Sequence, residues 1–298
     1  MIDLAELSLG PRKFLEARRR ELDALRFEHL ALRPLAPVIG AEVSGVDLRE
    51  PLAAPARAEL ERALEAWKVL FFRDQDLSRE QHAAFASAFG PLEEHPFLPS
   101  PQGQPEVIRF EKDAERVGVE NVWHSDVSWR EIPSLGSVLR AREVPAIGGD
   151  TLWADMEAAY EGLSDELKAR VEGRVAVHDF VNSFGRALPA DQREAMRAKY
   201  PPAQHPIVRT HPKTGRRCLY VNAIFTSHVK DLPADESDDL LRRLFRQASV
   251  PEYQVRFRWT KDAVAFWDNR SAQHYAVYDY WPTARAMDRV TIVGDRPF

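Results

Sequence analysis

Cys218 is the only cysteine among the 298 residues, so no disulfide within the chain and no cysteine-based zinc or iron–sulfur site can be built. A lone thiol fits a reducing compartment. A basic excess is also missing. The formal net charge is -5, which argues against a nucleic-acid surface and leaves room only for a local basic pocket. No window approaches the roughly 18 apolar residues of a membrane span. The opening Met1-Ile2-Asp3-Leu4-Ala5-Glu6, with Arg18-Arg19-Arg20 further on, lacks the basic-then-apolar order of a secretory leader. The expected location is the cytoplasm. Internal repeats, low-complexity tracts and an obvious linker are absent too, so the length reads as one large core.

What is present is an ordinary globular balance, 44% hydrophobic and 29% charged, with enough Trp and Phe for thick aromatic packing. Apolar spacing predicts a charged helix over 11–32, strand and turn over 35–48, an amphipathic helix over 55–68 and a buried strand at Val69-Leu70-Phe71-Phe72. Ser78 with Gln81 forms the pattern of a capping box for the next helix, which ends near Gly90-Pro91. Short strands are expected over about 134–153, 174–182, 205–221 and 254–294, and helices near 156–171, 190–199 and 235–248. The fold class is therefore mostly β with flanking helices, a double-sheet core. Residues 1–32 read as an N-terminal helical extension and 33–298 as a single domain.

The sharpest local feature is Trp123-His124-Ser125-Asp126. On an extended segment, residues two apart share a face, so an imidazole and a carboxylate converge. Alone such a pair is usually a solvated feature of a sheet. Far along the chain, Trp267-Asp268-Asn269-Arg270-Ser271-Ala272-Gln273-His274-Tyr275 supplies a second histidine. Two histidines and one carboxylate leave an octahedral face open, the arrangement of non-haem Fe(II) oxygenases.

These segments, with Gly148-Gly149-Asp150-Thr151, Arg285 and Arg289, and the closing Gly294-Asp295-Arg296-Pro297-Phe298, resemble the taurine dioxygenase family of Fe(II)/2-oxoglutarate-dependent dioxygenases over residues 33–298. The resemblance implies a double-stranded β-helix (jelly-roll) core, with His124, Asp126 and His274 as iron ligands. It implies Fe(II), 2-oxoglutarate as cosubstrate and O2, and a homo-oligomer, dimer or tetramer. Some relatives replace the carboxylate by glycine and halogenate; Asp126 is retained here, so oxygen insertion is expected. Arg285, eleven residues after His274, and Thr151, 27 after His124, stand where the family holds the distal carboxylate of 2-oxoglutarate. An arginine fork suits that carboxylate.

The resemblance also implies a small anionic substrate, with neither nucleic acid nor membrane as partner. Arg289 and His95 match the residues that grip a sulfonate or sulfate head. The backbone N–H of Val127 is a further candidate, and Ser183, Phe184 and Phe225 match the pocket wall. Two positions depart from the taurine-specific pattern: Leu98 replaces a tyrosine, and Glu120 replaces an asparagine and could pair with an amine or point to solvent. The implied reaction hydroxylates the carbon beside the sulfonate of taurine or a related alkylsulfonate. It releases sulfite, with succinate and CO2 as co-products. Alternatives are an alkyl sulfate ester dioxygenase releasing sulfate, a same-scaffold oxygenase of a carboxylate such as an aryloxyalkanoate, a zinc hydrolase on the same ligand set, and a non-catalytic jelly-roll binding protein.

Overall fold

Val69–Phe72 is a four-residue apolar run with no exposed side chain, and the main sheet is built around it. The computed structural model describes residues 11–298 other than 99, 102 and 119. The first ten residues of the expected N-terminal extension thus lie outside the described residues. Before the run come helix α1 (Leu15–Ala24), strands β1 (Ala31–Pro34) and β2 (Ala41–Ser44), and helix α2 (Ala54–Trp67); the run itself is β3 (Val69–Phe72). Helix α3 (Arg79–Ser87) opens with the reciprocal Ser78–Gln81 capping box. Next come β4 (Val107–Lys112), β5 (Ser134–Glu143), β6 (Thr151–Asp155), α4 (Met156–Glu161), α5 (Asp165–Val171) and β7 (Val175–His178). Helix α6 (Ala190–Lys199), strands β8 (Ala203–Pro206), β9 (Val208–Thr210), β10 (Arg217–Leu219) and β11 (Thr226–Val229), and helix α7 (Ala234–Phe245) follow. The chain closes with β12 (Gln254–Phe257), β13 (Val264–Asp268), β14 (Ala272–Ala276) and β15 (Arg285–Val293).

Seven strands form the main sheet in the order β1-β2-β3-β13-β5-β15-β4, with β2 and β3 parallel and the other neighbours antiparallel. A three-stranded sheet, β12-β6-β14, faces it. Trp153, Val255, Phe257 and Ala272 from the small sheet pack in one buried cluster with Phe71, Ala265, Trp267 and Met287 from the main sheet. The opposite face of the main sheet is covered by helices: Leu60, Leu64 and Trp67 of α2 and Phe85 of α3 pack with Leu70, Phe72, Val138, Phe266 and Val290. Over the described residues helices span nearly as much chain as strands, so the class is mixed α/β around a β core rather than mostly β. Two smaller sheets, β11-β7-β8 and β10-β9, complete the architecture. Among the described residues no helix is long and apolar enough to cross a membrane.

Three expectations change. The N-terminal helix ends at Ala24, where Leu25 turns extended, and the proposed 32/33 boundary falls inside β1. Its described part is docked on the core: Leu15 and Leu22 are buried, and Arg18 donates to the carbonyl of Ala66 at 2.6 Å. The helical stretch expected over 156–171 holds two helices, and Leu163-Ser164-Asp165-Glu166 is the helix entry its sequence suggests: Ser164 accepts from the N–H of Leu167 and starts the second. The segment around His124 is not a regular strand. His124 makes one isolated bridge to His274, and residues 126–129 are a turn.

Candidate metal and cosubstrate site

Histidines far apart in sequence are brought together by the peptide backbone itself. The His124 N–H donates to the carbonyl of His274 at 3.1 Å, and the His274 N–H donates back at 2.9 Å. Their rings lie 4.2 Å apart. The turn that follows carries Asp126 back beside them, with His124 Nε2 3.8 Å from Asp126 Oδ1. One donor atom from each of His124, Asp126 and His274 lies within 4.8 Å of the others, and all three residues are buried. The convergence predicted from strand alternation is real, but a turn produces it. That turn has a cost: Val127 sits at φ 46°, which a β-branched residue rarely adopts. Among the described residues nothing accepts a hydrogen bond from its N–H.

Neighbouring groups set the chemical state of the three. His124 Nδ1 lies 2.8 Å from the carbonyl of Val122, to which it donates, leaving Nε2 with its lone pair toward the site. Burial, and then His124, push the His274 imidazole down to about 3, so it is neutral at pH 7. Burial alone would raise the Asp126 carboxyl; the Arg289 guanidinium, the largest opposing cause, holds it well below the usual carboxylate range. Two imidazoles and a carboxylate are a donor set suited to Fe(II).

Asn269 holds Asp126 from both sides. Its side chain accepts from the Asp126 N–H at 2.7 Å and donates to the Asp126 carbonyl at 2.9 Å, with further contacts to Ser134 at 3.3 Å. Ser137 of β5 donates to Asp126 Oδ2 at 3.3 Å. Asn269 is aimed by its neighbours, since Asp268 accepts from Arg270 at 2.6 and 2.9 Å and from His211 at 3.0 Å in a fully buried network. Sequence reading quoted Asn269 within a motif and gave it no role; Ser137 it missed. The only signal for Asn269 was its place between the motif's tryptophan and its histidine.

All eleven residues singled out from the sequence line one cavity of about 340 Å³. Thr151, at the start of β6, accepts from Trp259 Nε1 at 2.9 Å and keeps its own proton to donate. Arg285, at the start of β15, is buried, and its Nε and Nη2 have no partner among the described residues. A buried guanidinium with two unused donors, in the same cavity as a hydroxyl, suits a carboxylate such as the distal one of 2-oxoglutarate. Gly149 explains part of the Gly148-Gly149-Asp150-Thr151 motif. Its φ is 69°, and a Cβ there would press on the stem of Arg285 and the ring of Tyr280, both at 3.2 Å.

Arg289, four residues on and on the same face of β15, places Nη1 2.9 Å from both oxygens of Asp126 and leaves Nε without a partner. His95 accepts from the Phe97 N–H at Nδ1, so its Nε2 carries the proton. Burial, then Arg289, lower it to about 3 and keep it neutral. Phe184 stacks on Phe97 at 5.1 Å and lies 6.2 Å from Phe225, forming an aromatic wall with Val127 and Ser183. Trp123, which precedes the first histidine, lies against Tyr275 at 5.5 Å and does not line the cavity. Glu120 lines the cavity, pairs with Lys112 at 2.8 Å and keeps its side chain 38% exposed.

Comparison with known proteins agrees with this geometry. The family model for the taurine catabolism dioxygenase TauD, TfdA family matches residues 31–291. An alkylsulfatase of Acinetobacter baylyi is 36% identical over 277 residues, covering 90% of this chain and 86% of the relative. The alpha-ketoglutarate-dependent 2,4-dichlorophenoxyacetate dioxygenase of Cupriavidus pinatubonensis is 36% identical over 281 residues, covering 88% and 97%. A crystal structure of a taurine dioxygenase from Burkholderia xenovorans superposes with a TM-score of 0.79 at 38% identity, covering 91% of this chain and 93% of that one. The chain belongs to the TauD/TfdA family and is a 2-oxoglutarate-dependent dioxygenase, an oxidoreductase that uses Fe(II), 2-oxoglutarate and O2.

Proposed function

We propose that this enzyme hydroxylates the carbon next to the anionic head of taurine, a related alkylsulfonate or an alkyl sulfate ester, releasing sulfite or sulfate. His124, Asp126 and His274 bind the iron, Thr151 and Arg285 hold the distal carboxylate of 2-oxoglutarate, and the facing sheets form a double-stranded β-helix. The observation that carries the head-group reading is the placement of Arg289. Its guanidinium shares the cavity with the triad and touches Asp126 itself, so an anion bound there lies beside the reacting centre. His95 adds a neutral N–H donor, and the unpartnered N–H of strained Val127 adds a backbone one. A sulfonate or sulfate has three oxygens for three donors.

The bound iron and 2-oxoglutarate supply an O2-derived oxidant that inserts one oxygen atom into a C–H bond, with succinate and CO2 as co-products. The residues of this chain hold the head by Arg289 and His95. Ser183, Phe184 and Phe225 then fix which carbon is presented and keep water away from it. The relatives named for an alkylsulfate and for 2,4-dichlorophenoxyacetate make the head group the point to test. Succinate formation is followed with alkylsulfonates, alkyl sulfates and aryloxyacetates, alongside sulfite and sulfate. Turnover of sulfonates or sulfates with stoichiometric sulfur release is expected; turnover confined to carboxylates would reject the sulfur head.

A further inference from the structure

The walls of the cavity near the head-group donors include the turn at Val127, residues 183–184 after β7 and residues 224–225 before β11. Phe184 lies 5.3 Å from the His95 ring, and Phe225 lies 6.5 Å from the His124 ring. Behind these walls, outside the cavity, four buried polar residues close a hydrogen-bonded ring. Asn222 Nδ2 donates to Ser128 Oγ at 2.9 Å, and Ser128 Oγ lies 3.0 Å from His178 Nδ1. His178 Nε2 lies 3.4 Å from Thr226 Oγ1, which accepts the Asn222 N–H at 2.9 Å. Thr226 and His178 are register partners of β11 and β7. A neutral imidazole has one donor and one acceptor nitrogen and so fits a hydroxyl on each side; burial keeps His178 neutral. All four residues are buried, and none of them lines the cavity.

The ring is tied to each wall. Ser128 follows Val127 directly. Asn222 Oδ1 accepts from the Phe225 N–H at 2.9 Å. After His178 comes Asp179, whose N–H donates to the Phe225 carbonyl at 2.8 Å. The Asp179 carboxylate accepts from the Val181 N–H at 2.9 Å and starts the turn that leads to Ser183 and Phe184. On the far side, His205 Nε2 of β8 lies 2.9 Å from the Ser128 carbonyl and 3.0 Å from that of Arg130. Val127, Trp129, Phe180 and Phe225 form one buried cluster, and Phe184 packs against it. Asp126 is held from other directions, by Asn269 and Ser137. Resting on the head-group reading above, we infer that Ser128, His178, Asn222 and Thr226 are positioning residues: they lock Val127 to the Phe184 and Phe225 wall and so set where the substrate carbon stands relative to the metal. Opening the ring leaves the metal and cosubstrate groups in place but lets the carbon drift. A misplacement of about 1 Å can cost on the order of 100-fold in rate, so 2-oxoglutarate would be consumed without hydroxylation.

The test follows three probes, propane-1-sulfonate, propyl sulfate and phenoxyacetate, with sulfite, sulfate or phenol measured against succinate. Thr226→Val removes the hydroxyl at nearly constant shape, and Thr226→Ser keeps it. In Thr226→Val and in Ser128→Ala, product per succinate is expected to fall about threefold or more and the probe KM to rise about tenfold, with the 2-oxoglutarate KM and the Co(II) Kd within about twofold of wild type. Anaerobic calorimetric titration of the probe into enzyme loaded with Fe(II) and 2-oxoglutarate should show the same loss of affinity. Thr226→Ser should restore the wild-type ratio. The double variant should be no worse than the worse single one, since either change opens the same ring. A product-to-succinate ratio within about twofold of wild type in Thr226→Val and Ser128→Ala, with only the melting temperature lowered, overturns the inference. So does a Thr226→Ser that stays uncoupled, or a 2-oxoglutarate KM that rises as much as the probe KM. If Ser128→Ala does not fold, the two Thr226 variants decide alone. Turnover of phenoxyacetate only overturns the sulfur-head reading, while its product ratio still decides this one. Turnover of no probe overturns both.

Discussion

Replacing Asn269 by alanine removes the two hydrogen bonds that hold the Asp126 backbone, 2.7 Å to its N–H and 2.9 Å to its carbonyl. Both groups stay buried, and a buried polar group without a partner costs about 1–3 kcal/mol. The turn therefore loses roughly 2–6 kcal/mol of local support on the same scale. Part of that appears as lower stability of the metal-free protein. The rest must be supplied by the metal when it draws Asp126 back into place, and about 1.4 kcal/mol is a tenfold change in affinity. Groups that orient a metal ligand typically contribute about 10- to 100-fold to metal affinity, so that is the expected weakening. Anaerobic titration with Fe(II), or with Co(II) as an air-stable substitute, reads it directly. Asn269→Asp sharpens the test. It keeps the acceptor for the Asp126 N–H but sets an oxygen against the Asp126 and Ser134 carbonyls, so it should be at least as damaging. A metal Kd within about twofold of wild type in Asn269→Ala, with only the melting temperature lowered, would refute the reasoning.

The same accounting applies elsewhere in the site. Arg285→Ala leaves the cosubstrate carboxylate without its fork; two charge-assisted bonds at about 1.5–3 kcal/mol each predict a rise in the 2-oxoglutarate KM of roughly 10²- to 10⁴-fold, and an unchanged KM rejects the assignment. Thr151→Val removes the hydroxyl and strands the Trp259 N–H, so it should raise that KM about tenfold and lower the melting temperature together. Acidification should destabilise the fold through histidines away from the site. Burial pushes His82 and His205 down to about 4. The unfolded chain thus takes up protons first, and stability present above about pH 6.5 is lost as pH falls toward 4. Each contributes roughly 2 kcal/mol between pH 7 and 5. Urea unfolding at the two pH values should show the loss, and His82→Gln should lessen it; a flat profile would contradict it.

Much of the site was legible because its residues follow local rules. Arg285 and Arg289 share a face by the alternation of a strand, and β15 is that strand. Val69–Phe72 and the Ser78 cap were readable from composition and spacing alone. Reading His124 and Asp126 by the same alternation reached the right pairing for the wrong reason, since the backbone there bends at Val127 in a conformation that valine's side chain gives no sign of. Asn269 and its partner Asp126 are 143 positions apart, and no periodicity connects them. Lys112 and Glu120 were opaque for a related reason, because their meeting depends on which strand lies at the sheet edge. The overestimate of helix at residues 25–32 came from charged and leucine-rich text continuing past Ala24, where pairing of β1 with β2 wins over propensity.

The mutual backbone bridge between His124 and His274 carries a further consequence. It closes a loop of about 150 residues, for which chain entropy alone charges on the order of 4 kcal/mol. In many small metalloproteins the ion must meet such a closure term, and folding waits for it. Here two peptide groups and the surrounding sheets meet it instead, so the imidazoles are adjacent before any ion arrives. The protein should thus fold without its metal, a bound ion adding only the stability that its affinity and concentration set by mass action, and different divalent ions should exchange through a finished scaffold. Activity would then report the electronic character of the ion, while the folded geometry would be shared by all of them.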